Sequence, residues 1–156
     1  MLLLKQRQNK SMNVVKLGSE HIPCVAEIER LCFSSPWSPK SLEMLTGDGG
    51  IGFVAICEGH VVAYGGMMTV LDEGQVTNIA THPDFRRKGA ARAVTEALAE
   101  YGRKNGVSTI YLEVRISNGA AIALYEGCGF FAVGERKKFY SDPIEDAVIM
   151  KKILVE

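Results

Sequence analysis

Residues 75 to 101 read QVTNIATHPDFRRKGAARAVTEALAEY, and the change of period inside them constrains the fold more than any other stretch. Residues 75 to 81 are rich in β-branched side chains and alternate, which predicts a half-buried strand. His82-Pro83-Asp84 breaks it. From there Ala90, Ala93, Val94, Ala97, Leu98 and Tyr101 recur at i, i+3, i+4, i+7, i+8 and i+11, with Arg92, Glu96 and Glu100 opposite, the pattern of an amphipathic helix. The join is basic and then bare. Arg86-Arg87-Lys88-Gly89-Ala90-Ala91 sets three cations, a residue without a side chain and two methyl-sized residues where the first helical N–H groups have no internal partner. Such an end favours phosphate, because the unpaired N–H groups and the positive end of the helix dipole point the same way. A solvated basic turn has the same composition. No Gly-Lys-Ser/Thr follows, so this is not a P-loop, and the further glycines of the dinucleotide fingerprint are absent.

The rest of the chain supplies a sheet and helices around that unit. Residues 13 to 17 predict a short strand. Ser19 is placed to cap a helix with Pro23 in its first turn and Ile22, Val25, Ile28, Leu31 and Cys32 inward. After the break at residues 33 to 37, Ser38-Pro39 opens a second helix with Leu42 and Leu45 inward. Asp48-Gly49-Gly50 ends it. Residues 51 to 57 and 61 to 71 read as a hairpin about Glu58-Gly59-His60, and Asp72-Glu73-Gly74 turns the chain into the strand described above. Asn105-Gly106 stops the long helix, and residues 108 to 114 form a strand reached by a right-handed crossover, hence parallel to its neighbour. A shorter helix follows Ser117-Asn118, and strands at 130 to 139 and 147 to 153 close the chain. The order is β-α-α-β-β-β-α-β-α-β-β, an α/β fold with a mixed, mostly antiparallel sheet and helices on both faces.

A chain of 156 residues suits one domain, assigned here to residues 12 to 156, with residues 1 to 11 an expected disordered extension. Eighteen basic and eighteen acidic side chains cancel, which argues against nucleic acid or an anionic membrane as main partner. Cys24, Cys32, Cys57 and Cys128 lack C-x-x-C spacing and sit in apolar runs, so reduced core thiols and a cytoplasmic setting are expected. His21, His60 and His82 are scattered, and no metal is expected.

Three side chains could carry chemistry. On the strand after the long helix, Tyr111, Glu113 and Arg115 share one face, and Glu113 lies near the carboxyl end, where open α/β sheets bind ligands. Partial desolvation would bring such a carboxylate closer to a useful base; an ion pair with Arg115 or with a cation on the next strand is the competing reading. Tyr125 is either a proton donor or a core aromatic, and Asn118 a ligand contact or only a helix cap.

Taken together, Arg86-x-x-Gly89-x-Ala91 and the run Leu112-Glu113-Val114-Arg115-x-Ser117-Asn118-x-Ala120-Ala121-Ile122-Ala123-Leu124-Tyr125-Glu126-x-x-Gly129-Phe130 resemble the ribosomal-protein-alanine N-acetyltransferase branch of the GNAT superfamily. The similarity extends through Pro36-Trp37-Ser38, Asn78-Ile79-Ala80 and Glu145-Asp146-Ala147-x-Ile149-Met150. The resemblance implies an acetyl-CoA N-acyltransferase fold and transfer of acetyl from acetyl-CoA to the α-amino group of a protein, an alanine at the start of a small-subunit ribosomal protein being the plausible acceptor. It implies Glu113 as general base, Tyr125 as general acid and Asn118 as a cofactor contact. Tyr125, the loop and helix start Arg86, Arg87, Lys88, Gly89, Ala90, Ala91 and Arg92, and a splayed strand at Ile79, Ala80 and Thr81 would hold acetyl-CoA. The loop at 33 to 37 and the connection at 139 to 144 would flank the acceptor, with Tyr140 against the peptide backbone. Trp37 is either a substrate contact or a loop anchor.

The chemistry suits these residues: an amine attacks a thioester directly, so no Ser or Cys nucleophile is required. An α-amino group titrates near about 7.7–8.0 and a lysine near about 10.4, so freeing the lysine amine costs about 3 to 4 kcal/mol more at neutral pH. Two alternatives are a transferase for lysine or a small amine and a noncatalytic acyl-CoA binding module. The presence of both Glu113 and Tyr125 speaks against the second.

Overall fold

The structure, a computed structural model, describes residues 11–155. The extension expected at residues 1 to 11 therefore lies, Ser11 apart, outside the described residues.

Seven strands form one sheet among the described residues: β1 (Met12–Lys16), β2 (Gly50–Cys57), β3 (His60–Val70), β4 (Glu73–Thr81), β5 (Thr109–Arg115), β6 (Phe131–Ser141) and β7 (Ile144–Ile153). Their spatial order is β1-β2-β3-β4-β5-β7-β6, and only β4 and β5 run parallel. The crossover between them is the long helix α3 (Ala90–Lys104), as the spacing predicts. The remaining helices are α1 (Ile22–Cys32), the single turn α2 (Pro39–Leu42) and α4 (Gly119–Gly127).

Alternation along the strands sorts the helices onto two faces. Val54, Tyr64 and Ala80 are buried with Val25 and Ile28 of α1, Leu42 of α2 and Leu45 just beyond it. Their neighbours Ala55 and Ala63 point the other way and pack with Ala90 and Val94 of α3. Full burial of each aliphatic side chain contributes about 1.5–3 kcal/mol, so the two layers hold the sheet between them. Gly66 shows how close the first layer lies, since a Cβ there would meet Leu45 and the Thr77 hydroxyl at 2.6 Å.

Local signals explain most boundaries. Ser38 accepts the Ser41 amide at 3.1 Å and opens α2 with Pro39 behind it, while Asn118 accepts the Ala121 amide at 3.1 Å and opens α4. The first helix begins differently from expectation. A 3-10 turn, Ser19–His21, precedes it, and the His21 ring rather than Ser19 accepts the Gly18 amide at 2.9 Å. Its inward face also differs: Leu31 is exposed, and Glu29 is fully buried. Cys24 is exposed as well, so it is not the core thiol expected; Cys57 and Cys128 are buried, and all four cysteines are unpaired.

Two irregularities shape the middle of the sheet. Gly65 pairs with Ile79 and Met67 with Val76, so β4 carries an extra residue at Thr77-Asn78, a bulge that bends the strand. On its other edge β4 pairs with β5 over three rungs only, Glu73 with Thr109, Gly74 with Ile110 and Gln75 with Tyr111. Beyond Gln75 the strands diverge.

Candidate active site

The divergence leaves the β5-facing edge of residues 76 to 81 outside the ladder, and this end of β4 runs into the loop that begins α3. There Arg87 and Gly89 both take left-handed backbone, with φ of 62° and 84°. The first amide of α3 to find a helical acceptor is that of Ala93, bonded to the Gly89 carbonyl at 3.0 Å. The amides of Ala90, Ala91 and Arg92 precede it at the helix end. A Cβ at Gly89 would meet nothing within 4 Å, so the surface before those amides is open to a ligand. A wedge lined by strand backbone, ending in helix amides and three cations, fits an extended ligand with a phosphorylated tail.

The cations of this loop differ in what they touch. Arg86 donates to the Cys32 thiol at 3.7 Å, and Cys32 donates to the Thr81 carbonyl at 3.2 Å, so α1 braces the end of β4. Lys88 lies over the Phe85 ring. The Arg92 side chain turns away to Glu96 at 3.0 Å and to the Gly127 carbonyl at 3.2 Å, tying α3 to the end of α4.

Across the wedge, Ile110, Leu112 and Val114 of β5 are buried in the core, while Tyr111, Glu113 and Arg115 face the other way. The Glu113 side chain is 14% exposed, and both its oxygens are engaged. Gln75 donates its amide to Oε2 at 2.7 Å, and Arg136 places its guanidinium 3.3 Å from Oε1. Arg136 lies on β6, so it reaches across β7 to this carboxylate. Tyr140 lies within reach of the same charge. Its phenol is pushed up to about 12, first by burial and then by Glu113.

Tyr125 is buried on α4, edge-on to Phe130 at 6.0 Å, and burial holds its phenol well above the ordinary value of 10.0. Tyr140 adds to that shift, so Tyr140 lies near Tyr125 as well as near Glu113. Asn118 uses its side-chain oxygen as the cap of α4.

The two segments expected to flank the acceptor, the loop at 33 to 37 and the connection at 139 to 144, meet. The Ser34 hydroxyl donates to the Asp142 carbonyl at the tip of the β6–β7 hairpin. Arg115 donates to Asp142 O at 3.3 Å and to Pro143 O at 3.0 Å, pairs with Glu145 at 3.1 Å and lies 4.3 Å over the Tyr140 ring. Glu145 also accepts the Ser117 amide at 2.7 Å; hydrogen bonding from Ser117, its side chain first and then this amide, holds the Glu145 carboxyl below the usual range, with Arg115 adding to it. Trp37 packs on the α1 side of the core, as a loop anchor does.

Sequence reasoning passed over Glu29. It is 0% exposed, yet it accepts from the Tyr64 hydroxyl, from Asn78 Nδ2 at 2.8 Å and from the Trp37 amide at 3.1 Å. The signal was present, because Glu29 lies four residues after Val25 and three after Ala26 on the buried stripe.

Among the described residues no three His, Cys, Asp or Glu side chains converge on a point, and no helix is long and apolar enough to cross a membrane.

The fold and wedge are those of an acyl-transfer enzyme, and the chain belongs to the acetyltransferase (GNAT) family, whose model matches residues 22–130. It is an acyltransferase of the ribosomal-protein-alanine branch. The ribosomal protein bS18-alanine N-acetyltransferase of Escherichia coli is 39% identical over 142 residues, covering 89% of this chain and 96% of that protein. A putative enzyme of the same name from Bacillus subtilis is 36% identical over 133 residues, covering 84% and 88%. The crystal structure of the Escherichia coli ribosomal-protein-alanine N-acetyltransferase superposes with a TM-score of 0.86 at 36% identity, over 94% of this chain and 96% of that one.

Proposed function

We propose that residues 12 to 156 form a single catalytic domain that moves an acetyl group from acetyl-CoA to the α-amino group of a protein N-terminus, an alanine of a small-subunit ribosomal protein. The divergence of β4 from β5 after Gln75, facing the amides at the start of α3, is the observation that carries this reading. Acetyl-CoA supplies the activated acetyl as a thioester. The backbone of Ile79, Ala80 and Thr81 pairs with its arm, and the amides of Gly89, Ala90, Ala91 and Arg92, with Arg86, Arg87 and Lys88 around them, hold its phosphates. Asn118 contacts it from the turn before α4.

Glu113 takes the proton of the incoming amine, directly or through one water, and Tyr125 gives a proton to the departing sulfur. Burial keeps the Tyr125 phenol protonated at neutral pH, the state a proton donor needs. Tyr140 and Trp37 lie along the acceptor path. The contact of Ser34 with Asp142 narrows that path, which favours a chain terminus over a lysine side chain. The α-amine also needs the weaker base.

Such an enzyme works on ribosomal proteins in the cytoplasm. The test is a pair of peptides: one begins with a free alanine, and its twin is blocked at the terminus and carries a lysine. Acetylation of the first alone is expected. Acetylation of the blocked twin at equal or greater rate overturns the N-terminal assignment and supports a lysine acceptor.

A further inference from the structure

The Glu29 carboxylate has no part in the chemistry above, and it is fully buried. Taking a carboxylate out of water is costly unless hydrogen bonds replace the water. Three donors do so here, and they come from three different pieces of chain. Tyr64 lies on β3, Asn78 lies in the bulge of β4, and Trp37 lies in the loop between α1 and α2.

The two oxygens divide the work. Oε1 takes the Tyr64 hydroxyl and the Asn78 amide, while Oε2 takes the backbone N–H of Trp37. Asn78 immediately precedes the strand residues assigned to acetyl-CoA, and Trp37 follows the loop whose Ser34 touches Asp142. One turn further along α1, Cys32 donates to the Thr81 carbonyl, so this helix contacts both ends of the cofactor-facing part of β4. Tyr64 responds to the same group: burial and then the Glu29 charge hold its phenol far above the ordinary value, which keeps it a donor.

We propose that Glu29 is a positioning residue for peptide recognition, fixing the Trp37 loop against the bulged strand so that the acceptor entrance keeps its width. The proposal rests on the reading that this loop borders the acceptor path. A purely structural role would stabilise the fold without favouring one substrate over the other. A positioning role separates the two substrates. Losing the Trp37 bond frees the peptide side while the helix amides at Gly89 to Arg92 still hold the cofactor.

Three variants make the test: Glu29→Leu, which fills the space but accepts nothing; Glu29→Gln, which retains one acceptor oxygen; and Tyr64→Phe, which removes a donor to Oε1 and leaves the Oε2 bond to the Trp37 N–H in place. Steady-state kinetics with an alanine-starting peptide and calorimetric titration with CoA are read on each. Glu29→Leu is expected to raise the peptide KM about tenfold or more, the size carried by one lost hydrogen bond to a charged group, with CoA affinity within about twofold. Glu29→Gln is expected to restore part of the loss. Tyr64→Phe is expected to lower the melting temperature with the peptide KM held within about twofold.

Trp37 is the one tryptophan of the chain, so its fluorescence reports on the loop without substrate. Acrylamide quenching of that emission is expected to increase in Glu29→Gln, and this measurement decides the matter if Glu29→Leu does not fold. Unchanged quenching, or a rise in peptide KM matched by an equal loss of CoA affinity, overturns the proposal. Should the wild-type protein acetylate no peptide terminus, the functional reading fails separately, and quenching still tests whether Glu29 fixes the loop.

Discussion

Gln75 donates its side-chain amide to Glu113 at 2.7 Å, across the rung at which β4 and β5 stop pairing. The proposed base is therefore held at the apex of the wedge, with Arg136 on its other oxygen at 3.3 Å. Glu113→Gln preserves the shape but removes the proton acceptor. Turnover is expected to fall by about 10²–10⁴ with CoA affinity nearly unchanged, the range that general-base catalysis supplies. A variant that turns over like wild type would make the carboxylate a structural partner of Arg136.

Gly89 tests the other end of the wedge. Its φ of 84° is open to glycine and strained for alanine, although a Cβ would touch nothing within 4 Å. The left-handed backbone costs an L-residue about 1–2 kcal/mol, so Gly89→Ala is expected to relax the loop and weaken CoA binding about tenfold. Calorimetry reads this directly. Equal affinity in the variant would remove the loop amides from the cofactor site.

The phenols make a prediction about alkaline stability. Burial raises Tyr125 above its ordinary 10.0, and burial followed by Glu113 pushes Tyr140 up to about 12. Between pH 10 and pH 12 the unfolded chain releases protons that the folded chain keeps. Stability from this source is thus complete below about pH 10 and is lost as pH rises through the folded values. Melting temperature is expected to drop over that window, and Tyr125→Phe should make the drop shallower. The same substitution is expected to lower turnover at neutral pH about tenfold to a hundredfold if Tyr125 donates to the leaving sulfur. Wild-type turnover would leave it a core aromatic beside Phe130.

Arg115 joins the β6–β7 hairpin, proposed to border the acceptor, to β5 through Glu145 and two carbonyls, with the Tyr140 ring beneath it. Arg115→Lys keeps the charge but cannot supply donors in several directions at once. The peptide KM is expected to rise about tenfold with CoA affinity retained. An unchanged KM would show that the hairpin keeps its place without this side chain.

Periodicity carried the fold at the level of elements, because each long element buries one face and so writes its period into the sequence. The strand, basic loop and helix of residues 75 to 101 are the clearest case, down to Gly89 before α3. The bulge at Thr77-Asn78 was not legible, since one extra residue in a β-branched run leaves the composition unchanged. At the site, Glu113 and Tyr125 stood out only as parts of a long motif; singly, their types fit an ion pair and a core aromatic equally well. Arg136 could not be singled out as the cation that pairs with Glu113, because their bond crosses the intervening strand β7. Glu29 escaped for the opposite reason. Its position on the helix fits the buried stripe, but its charge assigns it to water unless three distant donors are known.

The short pairing of β4 with β5 also has a mechanical side. Four strands lie to one side of that boundary and three to the other, each sector laced by its own long ladders, while three rungs and shared core side chains join them. Opening or closing the angle between the sectors strains few backbone bonds compared with distorting either one, so it is the softest deformation the sheet offers. Glu113, the proposed base, is tied to Gln75 where that angle converges, so a small rotation of one sector would shift it relative to whatever the other sector holds.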